Sequence, residues 1–400
     1  VSSLDWDLRN IDELCTKITS GGTPSRSRPE YFSGGTVPWI KTGELNDSYV
    51  TDYSERITEE AVAASSAKLL PQGTVLMAMY GATVGALGVL SEPATCNQAS
   101  CAMISDPNVC DGRWLFYALL SDRQRIVSLA TGAAQQNLSA GTIRSFSYRT
   151  PSVAEQRAIA EVLGALDDKI AANANMAETS ALLAASIYSS IITPGSDVLA
   201  IGEMSTLLSR GVSPSYSDDV DAMVVLNQKC IRGQRVGVGP SRLTVSGRVR
   251  ADKILQLEDI LINSTGQGTL GRVARWTLPF AGPVTVDSHI TIVRIDSDRA
   301  NPTCAGHALL GMQAAFEEMA EGSTGQTELS RTELAKMKVA LPARESQVAL
   351  GRRLRTLQEL QNAMFAENET LAVTRDALLP QLMSGKLRVR DAEKTLEGVL

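Results

Sequence analysis

Three blocks of this sequence return in the same order after about 190 residues, and this limits the possible folds more than any other feature. Glu13, Thr16, Gly21, Pro24 and Ser25 recur as Glu203, Thr206, Gly211, Pro214 and Ser215. Leu76 and Gly81 recur as Leu261 and Gly266, and Gln135, Leu138, Ser139, Pro151 and Gln156 recur as Gln326, Leu329, Ser330, Pro342 and Gln347. The offsets drift only between 185 and 191. A period this long is not that of a solenoid, so the 400 residues are two copies of one unit.

Each copy has the same plan. A mixed segment of strand-like runs, such as Thr74–Met79 and Ile290–Ile295, precedes a long helical stretch. The first helix is expected to start after Pro151 at a capping box, Ser152 with Glu155, and to run to about Ile192, where Thr193-Pro194-Gly195 stops it. Leu163, Ile170, Ala177, Ala184 and Ile191 form a heptad seam beside Ile159, Leu166 and Ile187, with Asn173 and Ser180 as polar interruptions. The second helix, from about Ala343 to Leu379, carries Leu350, Leu357, Met364, Leu371 and Leu378. Its companion row, Leu354, Gln361, Asn368, Arg375 and Leu382, is apolar only at its ends. The expected fold class is therefore α+β: two tandem mixed domains and two long helices packed as an antiparallel coiled coil about a pseudo-two-fold axis. A helix of some forty residues spans about 60 Å, the length of a spacer.

The chemistry available is narrow. There are two histidines, His289 and His307, and six cysteines without a Cys-x-x-Cys pair, which leaves little for zinc or redox work and suits a reducing, cytoplasmic setting. No signal peptide opens the sequence, and the uncharged stretch 69–91 reads as a strand and a Gly-rich turn rather than a membrane span. Gly266-Gln-Gly268-Thr-Leu-Gly271 is a literal GxGxxG. The residues after it, Arg272 to Pro279, favour a strand, so no helix N-terminus is expected there to hold a pyrophosphate. Phosphate-binding, nucleophile-elbow and zinc-protease motifs are absent from the sequence, which reads as a binder with no catalytic residues and no metal site.

Thirty-eight basic against 44 acidic residues give a net charge of −6, so any basic surface must be local. Lys229, Arg232, Arg235, Arg242, Arg248, Arg250 and Lys253 fall close together with Asp252 as the only acid among them. Such a run can follow phosphates or offer Arg forks to base edges, and a solvated loop is the bland alternative. The first copy is sparser, with Arg26, Arg28 and Lys41 near its Gly-Gly-Thr-Pro-Ser turn. Arg232 and Arg235 are expected to be aimed from a rigid element at a groove, and Arg250 and Lys253 to suit the phosphate backbone.

The duplicated plan, the Gly-x-x-Pro-Ser segments at 21–25 and 211–215, Asn263-Ser-Thr-Gly-Gln-Gly-Thr-Leu-Gly271, Thr131-Gly-Ala-Ala-Gln-Gln-Asn-Leu-Ser139 and Leu378-Leu-Pro-Gln-Leu-Met-Ser-Gly-Lys-Leu387 together resemble the specificity (S) subunit of Type I restriction-modification systems. Ala343-Arg-Glu-Ser-Gln347 departs from the pattern in lacking the Glu-Gln pair after proline. The resemblance implies target recognition domains at 1–151 and 194–341, spacer helices at 152–193 and 342–385, and a C-terminal tail at 386–400. It implies that each recognition domain reads one half of a bipartite, asymmetric site on double-stranded DNA. Two modification subunits would supply S-adenosylmethionine and methylate adenine, and restriction subunits would supply ATP and Mg, leaving this chain without a cofactor.

The candidate DNA contacts are Ser25, Arg26, Arg28, Lys41, Tyr80, Thr83, Gln135 and Asn137 in the first copy. Those of the second are Ser215, Tyr216, Lys229, Arg232, Arg235, Arg242, Ser264, Thr265, Gln267, His289 and Gln326. The candidate coiled-coil and partner residues are Leu163, Leu166, Ile170, Ile187, Leu354, Leu357, Met364 and Leu371. Two other readings stay open at this point: a duplicated scaffold that joins protein partners without reading DNA, and an enzyme whose site has no recognisable motif.

Overall fold

Period-two runs of Val, Ile, Leu and Met make strands that pair the same way in both copies. The computed structural model describes residues 6–130, 137–194, 196–216, 222–278, 280–321 and 328–396. In the first copy one sheet runs in the order Cys15–Ser20, Ser100–Ser105, Val75–Ala78, Leu87–Leu90, Ser48–Val50. In the second the order is Ser205–Arg210, Ile290–Ile295, Ile260–Asn263, Val273–Arg275, with no fifth strand among the described residues. The register shifts at Cys15/Lys17 in one and at Ser205/Leu207 in the other, so even the irregularity is duplicated. A second sheet is equally matched: Arg56–Ile57, Val37–Ile40 and Thr95–Cys96 correspond to Arg242–Val245, Ala222–Leu226 and Val284–Val286.

The chain divides into two compact units, residues 1–172 with 367–400 and residues 173–366. Each unit holds one mixed segment, part of the helix Val153–Ile191 and part of the helix Arg344–Met383. Within the first unit, Ile170 meets Asn368, Asp167 meets Arg375, and Glu155 meets Arg388, so one helix descends as the other rises. Within the second, Tyr188 and Ala184 share a core with Leu350 and Leu354. The polar companion row now has its reason. Asn368 donates to the Ile170 carbonyl at 3.0 Å, and Arg375 reaches Asp167 at 2.7 Å. Asn173 and Ser180, the seam's interruptions, are buried.

Two expectations need correction. The capping box at the first long helix is only half made: Ser152 Oγ accepts from the Glu155 amide at 3.3 Å, but the Glu155 carboxylate takes the Trp6 indole at 3.2 Å and pairs with Arg388 at 3.5 Å. A carboxylate flanked by an indole N–H and a guanidinium gains more there than from one exposed amide. The second helix also runs past Leu379 to Met383, through Pro380. A further helix, Val389–Leu396, follows it and buries Ala392 in the first unit's core. The uncharged stretch 69–91 is an antiparallel pair, Val75–Ala78 with Leu87–Leu90, and among the described residues no helix is long and apolar enough to cross a membrane.

Candidate nucleic-acid interface

In each unit three loops are drawn together by main-chain bonds that match position for position. Gly21 donates to the Ser100 carbonyl and Gly22 to Cys96; Gly211 donates to Ile290 and Val212 to Val286. Met79 donates to Ala99 and Leu138 to Met79; Ser264 donates to His289 and Leu329 to Ser264. Bridges Tyr80–Asn137 and Thr265–Glu328 close the same corner. The motif glycines are required by close approach, since a Cβ on Gly21 would strike the Cys96 carbonyl and one on Gly211 the Val286 carbonyl. The GxGxxG is the turn of a hairpin. Gly266, Gly268 and Gly271 have φ of 105°, 72° and 82°, and the strand Val273–Arg275 follows, so no helix end is present to bind a dinucleotide.

The basic candidates of the first unit are tied down. Arg26 lies 4.3 Å from the Phe32 ring centroid and pairs with Glu55 at 2.7 Å; Lys41 reaches the same carboxylate at 2.6 Å. Bonds from both cations hold Glu55 below the usual carboxylate range. Arg28 pairs with Glu30 at 2.8 Å and covers the Tyr31 ring. Ser25 shares a 2.8 Å hydrogen bond with Ser27. Tyr80 and Asn137 are exposed at the shared corner, and Thr83 is half-buried in the turn.

In the second unit the basic run does not act as one surface. Arg232 and Arg235 face each other across a two-residue hairpin whose turn, Gly233-Gln234, has φ of 57° and 59°. Arg232 is exposed, whereas the Arg235 guanidinium lies over the Phe365 ring of the second long helix, which corrects the expectation that the two are aimed as a pair. Lys253 is not a free phosphate hand either. It donates to the Arg210 carbonyl at 2.7 Å and to Ser209, and burial pushes its pKa down. Arg250 pairs with Asp252 at 3.0 Å. Arg242 lies over the exposed Tyr216 ring, and Arg248 donates to the Ser215 hydroxyl at 2.9 Å. Lys229 and Gln267 are exposed.

Ser264 is fully buried and shares a 2.5 Å bond with Thr291, so it belongs to the frame. Thr265 Oγ1 and His289 Nδ1 are 2.5 Å apart, and the His289 amide donates to Asp287 at 2.9 Å. Sequence reasoning missed Gln98, whose amide oxygen accepts from the Thr23 hydroxyl, although the offset of 190 sets it opposite Ser288, beside His289. Gln135 and Gln326 lie outside the described residues.

The motif glutamines Gln156 and Gln347 are buried joints. Gln156 accepts from the Asp111 amide at 2.8 Å and donates to the Val109 and Pro151 carbonyls at 3.0 and 2.9 Å. Gln347 accepts from the Asn301 amide at 2.8 Å and donates to the Pro342 carbonyl at 2.8 Å. Of the coiled-coil candidates, Leu163, Leu166, Leu354 and Leu371 are fully buried in the cores of their own units, and Ile170, Ile187, Leu357 and Met364 are partly so. The surface left beside the helices is a groove in each unit. One of about 780 Å³ is lined by Ala181, Ala185, Tyr188, Ala308, Met312 and Val339. The other, of about 560 Å³, is lined by Trp114, Ala118, Asp122, Tyr148, Pro380 and Met383. Ala118, Asp122 and Tyr148 are the repeat equivalents of Ala308, Met312 and Val339.

Known proteins are similar to this chain. Residues 3–179 match the family model of the Type I restriction modification DNA specificity domain. The chain is 30% identical over 171 residues to the Type I restriction enzyme MjaIX specificity subunit of Methanocaldococcus jannaschii, covering 42% of this chain and 39% of that one. It is 29% identical over 156 residues to the EcoR124I/EcoR124II specificity subunit of Escherichia coli, covering 38% of each. The chain thus spans about two fifths of the length of these relatives. The crystal structure of a Type I restriction-modification S subunit from M. genitalium superposes with a TM-score of 0.61 at 19% identity, over 96% of this chain and 97% of that one, and shows the fold. The class so defined is a duplicated mixed α+β fold with two long helices. Residues 3–179 are thus similar to the Type I restriction modification DNA specificity domain, and the whole chain shares the fold of an S subunit.

Proposed function

We propose that this chain is the non-catalytic DNA-reading subunit of a Type I restriction-modification complex. The recognition domains are 1–151 and 194–341, the spacer helices 152–193 and 342–385, and 386–400 the tail. Each recognition domain reads one half of a bipartite, asymmetric site. The observation that carries this is the corner where three loops meet. The main-chain bonds are kept in both units, while Gln98 stands where the second copy has Ser288, Tyr80 where it has Thr265, and Ala99 where it has His289. A fixed frame with exchanged side chains is what two readers of different half-sites require. The candidate contacts remain those of this corner and its surroundings. Arg26, Arg28, Lys41 and Arg235 serve it as packing and ion-pair residues, and Ser264 as part of the frame.

The matched grooves support two copies of one protein partner, the modification subunits, bringing S-adenosylmethionine; restriction subunits would bring ATP and Mg. A reducing cytoplasm is the proposed setting. Desolvation pushes Cys15, Cys96 and Cys101 up to about 12, which suits thiols that stay reduced and inert. The test is to map methylated adenines in DNA exposed to this chain with its modification subunits. A motif of two halves separated by a fixed gap is expected. DNA left without any patterned methylation favours the scaffold reading and overturns this one.

A further inference from the structure

The turn before the central strand sits over the Gly-x-x-Pro-Ser loop in both units, and it presents one flat polar group in each. In the first unit that group is the exposed Gln98 amide, whose oxygen is held by the Thr23 hydroxyl. In the second it is the exposed His289 ring, whose Nδ1 is held by Thr265 Oγ1 at 2.5 Å. The tethering threonine comes from a different neighbouring loop in the two cases, yet the outcome is the same. One edge of the group is fixed and the opposite nitrogen, Nε2 in both, has no hydrogen-bond partner among the described residues. The groups stand on turns pinned by main-chain bonds, with Ser100 donating to the Asn97 carbonyl and Ile290 to Asp287. Rotamer freedom is therefore lost before any ligand arrives, which favours directional recognition. The nearby cations cannot offer this, because Arg26, Arg28, Lys41 and Arg235 are committed to acids or rings.

We propose that Gln98 and His289 are base-reading residues of the two half-sites, with Thr23 and Thr265 as their positioning residues. When the Thr265 hydroxyl is the donor to Nδ1, the imidazole carries its proton on Nε2. Each unit then offers one oriented N–H donor, which suits the acceptor edge of a purine, where N7 is available in the major groove. A contact to phosphate would instead act without regard to sequence. This inference rests on the DNA-reading function proposed above.

The experiment selects bound duplexes from a randomised pool, using the full chain assembled with its modification subunits, and titrates salt on the selected duplexes. A wild-type complex that selects no bipartite motif removes the DNA-reading function itself. Given a wild-type motif, Gln98→Ala is expected to lose about tenfold preference at one purine of one half. His289→Ala should do the same in the other half, and each should leave the rest of the motif and the salt slope intact. Thr265→Val should relax the same position as His289→Ala, and Thr265→Ser should retain it. An unchanged motif in both alanine variants overturns the assignment. So does uniform weakening across sequences with a shallower salt slope, the mark of a phosphate contact. A variant that melts below wild type is replaced by Gln98→Met or His289→Phe, which keep much of the side chain's bulk but carry no N–H donor and no charge, and the same two outcomes decide.

Discussion

Gln156 and Gln347 show how much a single buried side chain can organise. Each sits near the start of a long helix and satisfies main-chain groups of the mixed segment packed beside it. Leucine at either place would leave a buried amide and carbonyl without partners, at about 1–3 kcal/mol per group. Gln156→Leu is therefore expected to lower the first thermal transition by several degrees, while the conservative Gln156→Glu restores only part of the loss; calorimetry reads both. His307 gives a pH dependence of defined sign. Burial and the nearby Arg275 push its pKa down to about 4 from an ordinary value near 6.5, and neither ring nitrogen has a partner. The folded state thus resists protonation more than the unfolded one. The stability this provides is whole above about pH 6.5 and is lost as the pH falls toward 4. Melting temperatures measured between pH 7 and pH 4.5 should fall less in His307→Phe than in wild type.

The long helices were the most legible elements in the sequence, because a heptad pattern is a local signal that needs no knowledge of partners. Their starts were foreseen to within about two residues, and the far end of the second was missed because a proline in a last turn need not end a helix. The duplication was legible for the same reason. Strand order was not, since Cys15–Ser20 finds its neighbour some eighty residues away. The site divides along the same line. Tyr80 meets Asn137 in the first unit and Thr265 meets His289 in the second, but Gln98 escaped notice because its tether to Thr23 spans 75 residues. The basic run misled because a count of charges does not show which ones already hold acids or rings. At this scale the spacer reading makes a geometric prediction. Four residues inserted in both helices, after Ala172 and after Ala366, add about 6 Å of rise. The gap between methylated half-motifs should grow by one or two base pairs while both halves stay the same; mapping methylated adenines measures it. Insertion in one helix alone leaves the two helices unequal in length and should instead lower stability.

Taken as a molecule, the chain is two versions of one plan, and the versions should be separable in function. On the proposed function, replacing residues 1–150 with the corresponding segment of a Type I specificity subunit is expected to change one half of the methylated motif and leave the other. If both halves change together, the copies do not read independently. The joints make such an exchange structurally plausible. At the boundary after Pro151, Gln156 addresses the amide of residue 111 and the carbonyls of residues 109 and 151; Gln347 does the same at the amide of 301 and the carbonyl of 342. All of these partners are main-chain atoms, which every amino acid supplies alike. At these two glutamines the connection senses only backbone, so the demands on side chains are few and local: Trp6 for Glu155, Tyr117 for Asp167 and Arg113 for Asp168. A segment exchanged at the two prolines that keeps those side chains would then seat on the same joint without a new interface.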